Sequence, residues 1–130
     1  MGAQKAQEIT ITTPNEVGTM GKVFGLIATT SVNVKSFMAY TMGNQGIFKL
    51  VTSDNVKVGG QMEKAGYTVE KTDVVVVTCM DAIGTGAGLG KKLGDAGVNI
   101  DYAYATGVGG GEAVVVFAVD DVARAVKALG

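Results

Sequence analysis

Hydrophobic and polar positions alternate from residue 8 to 13, with Ile9 and Ile11 set among threonines, and this period of two predicts a strand. Pro14 should end it, because proline brings no amide to a ladder. Met20, Val23, Phe24 and Ile27 then recur at helical spacing and predict a helix over about 18–30. Residues 32–40 and 47–51 read as a hairpin around Gly43-Asn44-Gln45-Gly46. A weaker helix is expected over about 55–65, with Gly59 and Gly60 lowering its stability and Gly66 placed to cap it. Residues 67–72 complete the set as a fourth strand.

The remaining residues follow the same order. A strand is predicted at 74–77 and a helix at 84–96, whose Leu89, Leu93 and Ala96 share a face. Hairpin strands are expected at 99–106 and 113–118, joined through Gly107-Val108-Gly109-Gly110-Gly111. Asp120 is expected to cap a last helix that turns Val122, Val126 and Leu129 inward. Nothing loop-like separates 67–72 from the strand that starts this second set.

The chain therefore repeats. Asn15-Glu16-Val17-Gly18-Thr19 and Asp81-Ala82-Ile83-Gly84-Thr85 share a short polar residue, two spacers, Gly and Thr, at an offset of 84 − 18 = 66. The same offset carries Val32-Asn33-Val34 onto Val98-Asn99-Ile100 and Asp54-Asn55-Val56 onto Asp120-Asp121-Val122, which predicts a register without a gap. Two domains follow, 8–72 and 73–130. The expected class is α+β: two ferredoxin-like βαββαβ units, each an antiparallel sheet with its helices on one face.

Composition narrows the function. The 130 residues contain no His, one Cys and no Trp, with Lys+Arg 11 against Asp+Glu 12. Without His there is no Ser-His-Asp or Cys-His unit and no imidazole metal site. Asp101, Asp120 and Asp121 could serve as acid/base carboxylates, but caps and solvated positions explain them more simply, so no catalytic residue, metal or other cofactor is expected. Cys79 cannot form an internal disulfide, which fits a reducing compartment and a cytoplasmic protein. A net charge of −1 offers no general attraction to nucleic acid or to a membrane surface. The first residues lack the apolar core of a signal peptide, and the longest apolar run, 113–119, has strand length.

Chemistry is expected at the turn after the first strand of each copy. Asn15 and Asp81 precede helices, where side-chain oxygens cap amides, and Gly18 and Gly84 let the chain bend sharply. A helix start supplies N–H groups and partial positive charge, a seat for a carboxylate or phosphate. Ordinary capping explains one such turn; two at a fixed offset raise the case for ligand binding. Tyr102 and Tyr104, with Phe37 and Tyr40 at comparable places in the first copy, read as core residues or cross-strand pairs.

A strand, then Asn15-x-x-Gly18-x-Met20, a helix, and Val32-Asn33-Val34 opening the next strand resembles the ACT domain. The second copy, Asp81-x-x-Gly84 leading to Ala96-Gly97-Val98-Asn99-Ile100, resembles it as well, with Gly86 where the first copy has Met20. The resemblance implies a non-catalytic regulatory module that binds a small molecule, most often an amino acid, between repeats. Carried over by position, the binding residues are Asn15, Glu16, Val17, Gly18 and Thr19, and Asp81, Ala82, Ile83, Gly84 and Thr85. Since ACT-like modules commonly belong to larger metabolic enzymes, docking on such an enzyme is a second expectation.

The run Gly84-Thr85-Gly86-Ala87-Gly88-Leu89-Gly90-Lys91-Lys92 keeps a third reading open, a nucleotide or other anionic metabolite bound at a Gly-rich loop over 84–90. It lacks the Walker spacing, with Thr85 and Lys92 where Gly and Ser or Thr are wanted. Finally, the second copy stops before a counterpart of 67–72, so it is expected to lack its last strand. The all-valine strand 74–77 would then be an open edge, to be covered by the residues before Glu8, by a second chain, or by sharing the junction strand 67–77 between sheets. Pairing with a second chain is favoured, which predicts a homodimer formed there.

Overall fold

The computed structural model describes residues 2–107 and 111–130, and the loop positions 108–110 lie outside the described residues. The chain runs β1 (Gly2–Pro14), α1 (Thr19–Ala28), β2 (Val34–Met42), β3 (Gln45–Thr52), α2 (Asn55–Lys64), β4 (Thr68–Met80), α3 (Thr85–Asp95), β5 (Ile100–Thr106), β6 (Glu112–Val119) and α4 (Val122–Leu129). Two compact units result: Gln7–Thr72, and Asp73–Gly130 together with Met1–Ala6. Each has the expected α+β ferredoxin-like arrangement of antiparallel strands and two helices.

In the first unit the strands lie in the order β2-β3-β1-β4. Ile9 sits opposite Leu50 and Ile11 opposite Phe48, so alternate residues of β1 and β3 turn to one face. There α1 and α2 add Val23, Ile27, Val58 and Met62 to a single buried cluster. β2 and β3 turn tightly at Gly43-Asn44, with Met42 paired to Gln45. Asp54, not an interior residue, starts α2: its side chain accepts from the Lys57 amide at 3.1 Å.

The second unit repeats this with the order β1-β4-β6-β5. Val75, Val77 and Cys79 of β4 and Phe117 of β6 meet Leu89, Leu93, Ala125 and Leu129 from α3 and α4. Each such aliphatic side chain stabilises the fold by about 1.5–3 kcal/mol on full burial.

Four expectations are corrected. First, β1 begins at Gly2 rather than residue 8. Its start lies along β4: Lys5 Nζ is 3.4 Å from the Asp73 carboxylate, and Gly2, Ala3 and Gln4 line a recess with Val76 and Thr78. Ala3 packs against the second unit's core. The chain's own segment 2–6 thus holds the fourth-strand place in the second unit. The edge at 74–77 is covered, and the reason for expecting a homodimer there is removed.

Second, 67–72 and 74–77 are one strand, β4. No turn residue interrupts 68–80, and nothing forces the ladder to stop. Third, the repeats do not keep one offset. Phe37 pairs with Leu50, whereas its counterpart Ala103 pairs with Phe117, so β6 is matched to β3 at 117 − 50 = 67. The second hairpin is one residue longer than the first. Fourth, and as a result, the cap of α4 is Asp121, whose side chain accepts from the Arg124 amide at 3.0 Å. Asp120 instead accepts from the Asn99 amide at 3.0 Å, as Ser53 does from Asn33 at 3.1 Å. The aromatic pairing also changes: Phe37 matches Ala103, and the tyrosines match Ser36 and Met38.

Candidate functional site

The strand–helix turns have the same backbone in both repeats. Gly18 stands at φ 87° and Gly84 at φ 85°, each the residue before the first helical one. This left-handed geometry suits glycine and turns the chain abruptly from strand to helix. Thr19 N donates to the Glu16 carbonyl at 3.3 Å and Thr85 N to the Ala82 carbonyl at 3.3 Å. The following amides begin their helices without intrahelical partners.

Asn15 and Asp81 do not cap these helices, because neither N-cap receives a side-chain hydrogen bond. Asn15 Nδ2 instead donates to the Gly43 carbonyl at 3.2 Å, tying the turn to the tip of the β2–β3 hairpin. Asp81 is half-buried, its amide donating to the Gly111 carbonyl at 2.7 Å. Its carboxylate rests on Gly107, where a Cβ would stand 2.9 Å from Asp81 Oδ2. A side chain there would oblige the Asp81 carboxylate to shift.

Among the other expected site residues, Val17 and Ile83 project wholly into solvent at the tips of the turns. Glu16 and Ala82 are exposed and contribute carbonyls. The two threonines act differently. Thr19 Oγ1 donates to the Glu16 carbonyl at 2.8 Å within its own turn, whereas Thr85 Oγ1 reaches back to the Met80 carbonyl at 3.0 Å. Each quintet is brought together locally within its own repeat.

A recess adjoins each turn. In the first repeat it has about 300 Å³ and is bounded by Asn15, Gly18, Thr19, Met20, Tyr40 and Phe48. In the second it is a cavity of about 390 Å³ that runs from Asp81 and Thr85 under α3 to β5 and β6. Gly86 and Gly90 of α3 form its roof, and Ala103, Ala105 and Val115 part of its floor. Sequence reasoning noted Gly86 and Gly90, the latter only within the Gly-rich run, and missed Ala103, Ala105 and Val115. The signal was present in the repeat itself, where these positions match Met20, Phe24, Phe37, Ala39 and Phe48.

The Gly-rich run is not a loop. Residues 85–90 are helical, and Gly88 N donates to the Gly84 carbonyl at 3.0 Å. From Gly88 onward the backbone is engaged in the helix, so no phosphate-cradling loop exists here, and only the amides at the helix start remain to meet an anion. Among the described residues no group of His, Cys, Asp and Glu is placed to hold a metal ion. Among them, too, no helix is long and apolar enough to cross a membrane.

Comparison with known proteins bears on the fold. The chain is similar to protein BT0572 from Bacteroides thetaiotaomicron, at 24% identity and TM-score 0.89 over 98% of this chain and 88% of that one. It is similar to the ligand-free regulatory subunit of aspartate kinase from Thermus thermophilus, at 15% identity and TM-score 0.69 over 99% and 95%. A C-terminal regulatory domain of aspartate kinase from Porphyromonas gingivalis W83 follows at 19% identity and TM-score 0.57 over 98% and 93%. No curated protein matches the sequence. The model of the ACT domain pair matches residues 5–129, nearly the whole chain, and the chain belongs to that family.

Proposed function

We propose that this protein is a non-catalytic regulatory module that binds an amino acid at its strand–helix turns, 15–19 and 81–85. One observation carries the reading: both turns hold a left-handed glycine at a helix start with a recess of several hundred Å³ beside it. The ligand's carboxylate takes amides at the start of the helix, where the partial positive charge of the helix favours it. The Asp81 carboxylate offers its ammonium group a charge-assisted partner in the second repeat, and Asn15 a neutral one in the first. Buried Cys79 behaves as a packing residue with its thiol 3.7 Å from the Ala113 carbonyl, in keeping with a reducing, cytoplasmic setting.

The structural neighbours named as regulatory subunits and domains of aspartate kinase support a regulatory effect exerted on a separate enzyme. Capture of that enzyme from native extract should change when the ligand is added. The ligand itself is tested by calorimetry with the common amino acids. Binding by at least one of them tighter than about 10 mM, equivalent to about 2.7 kcal/mol, is expected. Failure of the whole panel would overturn the reading.

A further inference from the structure

Overlaying the repeats shows what fits the second repeat's cavity. In the first repeat, Phe24 of α1 and Phe37 of β2 form an edge-to-face ring pair with centroids 4.8 Å apart, and Phe48 of β3 lies in the core nearby. The matching positions in the second repeat are Gly90, Ala103 and Val115, and Met20 is matched by Gly86. Three rings and a thioether chain are thus reduced to two hydrogens, a methyl and an isopropyl group. Only part of the loss is made good, by Phe117 where the first repeat has Leu50. The remaining space is the 390 Å³ cavity, within the range of small-molecule sites. A Cβ at Gly86 or Gly90 would meet nothing within 4 Å, so no neighbouring group forces glycine at either place.

We propose that this cavity, between α3 and the strands β5 and β6, is a pocket for the aromatic ring of the ligand, which takes the place that phenylalanine side chains occupy in the first repeat. The pocket lies inside one repeat, under its own helix. Its walls are apolar apart from the end near Asp81 and Thr85. A ring seated between Gly90 and Ala103 places a polar head at the turn 81–85. That the head is an amino acid's rests on the function proposed above; the ring pocket itself does not. In the first repeat the Phe24–Phe37 pair stands where that ring would lie, and the recess of about 300 Å³ that remains at the turn is bounded by Met20, Tyr40 and Phe48. The two repeats are therefore unequal, and selectivity for the ligand resides in the second.

The test uses methyl-detected NMR of the full chain with indole, L-tryptophan, L-phenylalanine, glycine and L-serine as probes. Indole and the two aromatic amino acids are expected to shift the methyl signals of Leu89, Ala103 and Val115, with the methyls of Val23 and Ile27 unmoved. Gly90→Phe, which restores the first repeat's residue, is expected to weaken indole binding about 100-fold, as loss of a ring-sized apolar site implies. Ala103→Phe closes the same space from the sheet side and should act alike if the first variant fails to fold. Indole entering while no amino acid binds would uphold the pocket and refute the amino-acid reading. Glycine or serine binding at 81–85 while indole and both aromatic amino acids leave the cavity methyls unmoved would overturn the pocket alone. So would methyl shifts that depend on protein concentration and not on indole, since a second copy would then cover the cavity.

Discussion

Phe24 and Phe37 meet edge to face, their rings inclined at 63°, whereas the residues at the same places in the second repeat are Gly90 and Ala103. The same place in the fold thus holds an aromatic pair in one copy and the inner part of the 390 Å³ cavity in the other. The pair couples a helix to the sheet that it covers. A double-mutant cycle with Phe24→Ala and Phe37→Ala, followed by urea unfolding, should give a coupling of about 0.5–1.5 kcal/mol. Additive losses would show that the rings act only through separate burial.

Removal of residues 2–6 uncovers Val74–Val77, a run of four valines with no Lys or Pro to discourage pairing. With backbone bonds worth about 0.5–1.5 kcal/mol each, the truncated chain should lose about 2 kcal/mol or more of stability. It should also self-associate through the bared strand, which light scattering would register. A truncated chain as stable and as dispersed as the intact one would contradict the place given to this segment.

Gly46 faces Thr13 across the β1–β3 ladder, and a Cβ there would stand 2.6 Å from Thr13 Oγ1. Thr13 is buried, and its hydroxyl donates to the Pro14 carbonyl at 3.0 Å, so it has little room to yield. Gly46→Ala should destabilise by about 1–3 kcal/mol, the usual effect of overpacking. Combining it with Thr13→Ala should recover most of the loss in thermal unfolding.

Ser36 presents the reverse case, a buried hydroxyl oxygen with no hydrogen-bond partner. It lies at the irregularity between Val34 and Ser36 where β2 slips against β3. Ser36→Ala removes an unpaired polar group at almost constant shape and should raise stability by about 1 kcal/mol. Chemical denaturation of the two proteins side by side decides it.

Legibility in the sequence followed the range of the interactions involved. Ile9 and Ile11, or Met20 through Ile27, announce their elements because the period lies within a few neighbours. Residues 2–6, with Gln4 and Lys5 among them, show no such period, since what makes them a strand is the distant Val74–Val77 edge. The cap passed from Asp120 to Asp121 because an extra residue in a glycine-rich hairpin leaves no mark on local pattern. The turns at Gly18 and Gly84 were visible as a repeated motif. The cavity was not, because its walls at Gly86, Gly90, Ala103 and Val115 converge only after the helix is laid on the sheet. Each residue alone reads as a small or ordinary core position, and the offset that pairs them with Met20 and three phenylalanines changes from 66 to 67 midway.

The central claim is that a ligand binds the chain through the turn of the second repeat. Amide-detected NMR during titration with the tightest-binding amino acid measures this residue by residue. The account predicts saturable shifts that are largest at Ala82–Gly86 and reduced at least about tenfold in affinity by Asp81→Ala, which removes the ammonium's charged partner. Shifts confined to residues outside both turns, or unchanged affinity in Asp81→Ala, would contradict it.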